Sequence, residues 1–167
     1  MKLLPLDSPE RIALAGAWLS APDNAQWLDF GNGVQHVTPV TLKVMTQRDM
    51  HCLRLYTADD GDAPAGVVGL SNIDRTFKTA SVWCAPGDER MPRYSARAVS
   101  KMLTIAFTER GLNAITCWAV ENDEGARGVV DLLPFTFIGR LRHCHSIDGR
   151  LYDRLLYDML ASEHREI

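Results

Sequence analysis

Apolar residues recur at helical spacing in the first third of the chain, and at strand spacing through much of the middle. Leu3, Leu4 and Leu6 suggest a short opening strand. Ile12, Ala15, Trp18 and Leu19 then fall on one face of a helix. Ser8-Pro9-Glu10 just before them reads as its start: a serine N-cap, proline at the first helical position and an acid in the first turn. Pro22 and Asp23 end this helix, and a second short helix is expected at 24–28. Gly31-Asn32-Gly33 reads as a loop. Thr38-Pro39 repeats the cap-and-proline signal and opens a helix carrying Leu42 and Met45.

The pattern then shortens. Residues 51–57, 66–70 and 79–85 are rich in strand formers, separated by the polar turns 59–64 and 74–78, and predict an antiparallel meander. Residues 86–90 break it. A long helix is expected at 95–110, with Ala98, Met102, Ile105 and Ala106 along one face and Gly111 as its left-handed end. A buried strand at 113–120, a helix at 124–133 closed by Pro134, and strands at 135–145 and 150–160 complete the order. Asp148-Gly149 between the last two is the strongest hairpin signal in the chain. The whole predicts one mixed α/β (α+β) domain over residues 1–167 whose later strand–helix–strand is a right-handed crossover.

Composition narrows the class without naming a function. Hydrophobic residues make up 46% and charged residues 23%, the range of an ordinary globular domain. A net charge of −3 gives no basis for a broad nucleic-acid footprint. No apolar run approaches the roughly 20 residues that span a bilayer, and the opening Met1–Asp7 is too short and too soon acidic for a signal peptide. Cys52, Cys84, Cys117 and Cys144 are widely spread, which suits reduced thiols in a cytoplasmic protein.

Chemistry concentrates at 83–98, where a strand meets a Pro-Gly turn, a basic loop and a long helix. Arg90 and Arg93 stand at the expected helix start, and a helix N-terminus flanked by arginines seats a pyrophosphate well. Ser95 would cap the helix or offer its hydroxyl to the phosphate, while Asp88 and Glu89 allow the plainer reading of a charge-balanced surface loop.

The ordered segments Gly66–Asp74, Ala98–Asn113, Val120-Glu121-Asn122, Phe135–Arg142 and Asp148–Tyr157 together resemble the GNAT (N-acetyltransferase) superfamily, and within it the ribosomal-protein N-acetyltransferase-like branch. The resemblance implies a mostly antiparallel sheet with a splayed parallel strand pair and helices on both faces. It implies acetyl-CoA in the splay, with Val82, Trp83, Cys84 and Ala85 along the pantetheine arm and acyl carbonyl. It places Arg90, Met91, Pro92, Arg93, Tyr94 and Ser95 at the pyrophosphate, makes Asn122 the family asparagine at the strand end beside the cofactor, and puts Arg127 near the nucleotide end of CoA. Asn122 and Glu121 become the catalytic candidates, Glu121 as a base acting directly or through water. The acceptor would be a primary amine of a small molecule, a peptide or a protein N-terminus, attacking the thioester directly. No metal is called for, and homodimers are common in the branch.

Two departures matter. The family loop has small residues where this chain has Arg93 and Ser95, so the acetyl-CoA loop is degenerate. The family serine three residues after the asparagine is Gly125 here, and the segment from Asn122 to Phe135 holds about one extra residue. Both keep two further readings open: a module that binds without turnover, and an acyltransferase using a longer acyl-CoA or an acyl-carrier protein. His143-Cys144-His145 resembles a metal cluster only superficially, since on a regular strand two histidines share one face and cannot close a site alone.

Overall fold

The computed structural model describes residues 1–31 and 36–167; Asn32 and Gly33 of the expected loop lie outside them. In chain order the elements are β1 (Leu3–Pro5), α1 (Pro9–Ser20), α2 (Pro22–Ala25), α3 (Pro39–Thr46), β2 (Cys52–Thr57), β3 (Pro64–Asp74), β4 (Thr79–Pro86), α4 (Pro92–Thr104), β5 (Ala114–Val120), α5 (Glu124–Asp131), β6 (Thr136–Ile147) and β7 (Arg150–Leu160). The strands form one sheet in the order β1-β2-β3-β4-β5-β7-β6. Neighbours run antiparallel except β4 and β5, which run parallel.

That parallel pair shapes the molecule. β4 and β5 are joined only where Thr79, Ala80 and Ser81 meet Ala114, Ile115 and Thr116. Ser81 and Thr116 tie the fork with a 2.9 Å hydroxyl–hydroxyl bond. Beyond it β4 continues to Pro86 and β5 to Val120, each still paired on its outer side but not to the other. Unpaired backbone N–H and C=O groups in a protein interior need partners, so the wedge between these strands is built for something polar.

Alternation along the strands feeds two apolar layers. Val68, Leu70 and Val82 pack with Ala98, Met102 and Leu103 of α4 on one face. Leu53, Leu55 and Val67 pack with Ala15, Leu19 and Leu42 of α1 and α3 on the other. The expected caps form: the Ser8 hydroxyl accepts from Arg11 N at 3.2 Å, and the Thr38 hydroxyl from Thr41 N at 3.1 Å. Asp148 and Gly149 take φ of 49° and 78°, the two left-handed positions of a tight hairpin turn.

Some expectations shift. The short second helix is Pro22–Ala25, earlier than 24–28. α4 begins at Pro92 rather than at Ser95, because proline's fixed φ and missing N–H suit the first helical position better than a serine cap three residues on. Met91 flanks it without a side-chain cap. The end of the long helix is a π-helical turn, Ile105–Glu109, before Gly111 at φ 62°. A bulge between Leu141 and His145, with His143 at φ 51°, breaks the alternation of β6. His143 is consequently exposed and His145 buried, so the two do not share a face.

Candidate functional site

A cavity of about 510 Å³ opens where β4 and β5 part. Val82, Trp83, Cys84 and Ala85 of β4 line it, as do Arg90, Met91, Pro92 and Ser95 around the start of α4 and Asn122 after β5. The structure thus brings most of the candidate residues to one place. Arg93, Tyr94, Arg127 and Glu121 are not among the lining residues.

The reasons are local. Arg93 is the second residue of α4 and turns outward, its guanidinium 5.0 Å from the centre of the Tyr94 ring. Ser95 points inward, 4% exposed, and its hydroxyl lies 3.2 Å from that of Tyr56, so it does not cap the helix. Arg127 leans back on the Glu121 carbonyl at 3.4 Å. The Glu121 carboxylate is held by Arg140 at 2.8 Å, which also binds Asp153 at 2.9 Å. That pair ties the Glu121 carboxylate to β6, outside the residues that line the cavity.

Arg90 remains at the mouth. It makes only loose contacts with Asp23, 3.5 Å to the carbonyl and 4.0 Å to the carboxylate. At a partly exposed site a 4.0 Å ion pair holds weakly, which leaves the guanidinium able to turn to an anion. The indole N–H of Trp83, on the cavity wall, is buried without a partner among the described residues.

Burial pushes the thiols of Cys84 and Cys117 up to about 12, with Asp158 adding to the effect at Cys117. Burial likewise raises Tyr56 well above its ordinary value. Both thiols stay protonated at neutral pH, so neither is a ready nucleophile.

The opposite wall is a segment without regular structure, residues 26–30, which contributes Gln26, Trp27, Leu28, Asp29 and Phe30. Arg154 of β7 organises it. Its guanidinium stacks on Trp118 at 3.9 Å, binds Asp29 at 3.0 Å, and donates to His145 Nδ1 at 2.9 and 3.1 Å. With Nδ1 accepting, His145 Nε2–H donates to the Gln26 carbonyl at 2.6 Å. The Gly31 N–H and Arg154 hold the Asp29 carboxyl below its ordinary value. Phe30 meets Trp83 edge-on at 4.8 Å. Reading the sequence misses this group, because the bulge that turns His145 inward has no clear sequence signal.

Asp123 is the other residue that sequence reading misses. It lines the cavity and caps α5, its Oδ1 accepting from Ala126 N at 3.1 Å. Burial raises its carboxyl above the ordinary value, against the pull of the Ala126 and Gly125 N–H groups and Arg90. The available signal was the acid ahead of the helix.

A parallel pair that splays over a cavity, inside an otherwise antiparallel sheet with helices on both faces, is the GNAT fold, and this chain has it. Among solved structures, a single-site mutant of spermidine N-acetyltransferase SpeG from Vibrio cholerae superimposes with a TM-score of 0.81 at 17% identity, covering 98% of this chain and 97% of that one. The Vibrio cholerae enzyme in complex with CoA and spermine gives a TM-score of 0.72 at 18% identity, over 87% of this chain and 88% of that one. In sequence, the chain is 29% identical over 100 residues to the Bacillus subtilis (strain 168) protein named "Putative ribosomal N-acetyltransferase YdaF". The match takes in 59% of this chain and about half, 54%, of that relative. No family model matches the chain.

Proposed function

We propose that this chain is an acetyl-CoA-dependent N-acetyltransferase that acetylates a primary amine by direct attack. The observation that carries the reading is the fork: β4 and β5 separate past Ser81 and Thr116 and leave backbone groups facing a cavity. The residues there suit the cofactor. Arg90 and the start of α4 would meet its phosphates. The β4 edge and the unpartnered Trp83 N–H would meet the amides and carbonyls of its arm. Acetyl-CoA supplies an activated acyl carbon and a thiolate leaving group.

The protein's own contribution is to orient the reactants and polarise the acyl group. Backbone N–H groups along 82–85 would stabilise the developing oxyanion, and Asn122, exposed at the rim, would position the acceptor or the arm. The acceptor wall is acidic and aromatic: Asp29 is already spent on Arg154, but Glu124 is exposed at the cavity and Trp27 and Phe30 offer ring faces. This suits a small cationic amine better than a neutral one. The Vibrio cholerae enzyme's spermine complex makes polyamines the first acceptors to try.

A second reading rests on Pro92. As the first residue of α4 it removes one N–H from a helix end that would otherwise point at phosphate. An acyl-carrier-protein donor, which lacks the adenosine end, would tolerate that loss. The thermal shift separates the two. Acetyl-CoA at about 100 times its Kd should stabilise the fold by about 2.7 kcal/mol. No shift with acetyl-CoA, but one with a carrier-protein thioester, would select the second reading.

We also place the enzyme in the cytoplasm, where its four free cysteines fit a reducing environment. The exposed Phe137, Ile138 and Leu141 on the edge strand β6 favour a homodimer. Among the described residues no helix is long and apolar enough to cross a membrane.

A further inference from the structure

We propose that Asp123 is the catalytic base, taking a proton from the acceptor ammonium; this rests on the acyltransferase reading above. An amine must lose a proton before it can attack a carbonyl, and Glu121, just past the end of β5, lies outside the cavity lining with its carboxylate committed to Arg140. Asp123, two residues on, is inside. It sits where the free end of β5 gives way to α5, on a cavity wall that Arg90 and Glu124 also line.

Its bonding leaves capacity for the task. Oδ1 accepts from Ala126 N at 3.1 Å, fixing the carboxylate in one orientation, and even with the Gly125 N–H as a second donor lone pairs remain for a proton. The charged group that faces it is Arg90 from the loop before α4, with the neutral imidazole of His145 on β6 and exposed Glu124 beside it in the chain. Arg90 favours the ionised form, burial disfavours it, and burial prevails. A carboxylate with raised proton affinity narrows the gap to an ammonium and works better as a base.

The step balances. The ammonium gives one proton to Asp123, and the freed amine nitrogen attacks the acyl carbon. The new C–N bond forms and the C–S bond breaks, sending its electron pair to sulfur. The second nitrogen proton goes to that thiolate to give CoA thiol, and Asp123 returns its own proton to water.

The alternative is that Asp123 only caps the helix, and one substitution separates the roles. Asparagine caps as well as aspartate but cannot take the proton. Asp123→Asn should keep the melting temperature within about 2 °C and keep the acetyl-CoA thermal shift. Its kcat should fall about hundredfold, with the acid limb of the kcat–pH profile flattened. Asp123→Ala should lose the cap too, melting about 2–4 °C lower. In the ligand-free protein, one carboxyl carbon resonance absent from Asp123→Asn should titrate above the ordinary aspartate range. Asp123→Asn turnover within about threefold of wild type, an unchanged acid limb, or a carboxyl titrating in the ordinary range would each overturn the proposal. Wild-type protein without any amine-dependent turnover would instead remove the acyltransferase reading, and this one with it.

Discussion

Tyr56 lies fully buried behind Gly66, with its hydroxyl on Ser95 and its ring in the layer that supports α4. A Cβ at Gly66 would overlap that ring and hydroxyl, and neither can retreat. Gly66→Ala should cost about 1–3 kcal/mol in urea unfolding, the usual penalty for overpacking a closed core; a neutral result would mean that the ring has room to move. At the mouth, two arginines equivalent in sequence part company. Arg90 lines the cavity and Arg93 stacks on Tyr94 outside it. Arg90→Ala should weaken acetyl-CoA binding about tenfold, which is about 1.4 kcal/mol, while Arg93→Ala should leave it within about twofold, both read by calorimetry. The reverse order would put Arg93 back at the phosphates. From the sequence both look alike, since each is a basic residue near a helix start. What separates them is the three-residue shift of that start to Pro92.

Turn bonds tie Gln26, Trp27 and Leu28 back to α2, and the rest of the segment 26–30 is held by long-range ties from β6 and β7. His145→Ala removes the bond to Gln26 and the acceptor of Arg154. We expect amide exchange at 27–31 to quicken by about tenfold, with the sheet core unchanged, and KM for the amine to rise while KM for acetyl-CoA holds. Uniform exchange changes across the sheet would mean that His145 stabilises the whole fold instead. The Asp29 tie has a definite pH sense. Its folded-state pKa is lowered, so the stabilisation is fully present above the unfolded value of about 3.9 and fades as pH falls through the lower, folded value. Helix starts with Ser8-Pro9 and Thr38-Pro39, and the Asp148-Gly149 turn, are legible in the sequence because one or two residues determine each. The 26–30 wall is not, because its conformation is decided by His145 and Arg154, more than a hundred residues away.

At the scale of the molecule, the strand order joins a three-residue parallel contact to long antiparallel partners on either side. Each free strand end is thereby stiffened from outside while its inner edge stays open, which keeps a polar cleft from collapsing. The strands themselves show in the sequence as runs of β-formers. That β4 and β5 separate does not, because pairing is a relation between distant segments; it came only with the resemblance of the ordered segments to a family. Most of the cavity-lining candidates follow from that resemblance. Asp123 and the Arg154 group do not, since no segment of that resemblance singles them out. The central claim is that the cleft moves an acetyl group to an amine. It is tested most directly by following free CoA thiol after mixing the protein with acetyl-CoA and a panel of primary amines headed by spermidine and spermine. The account predicts thiol release that depends on both protein and amine, with a matching mass increase of one acetyl group on the amine. Thiol release that ignores the amine, or none at all while acetyl-CoA binds, would contradict it.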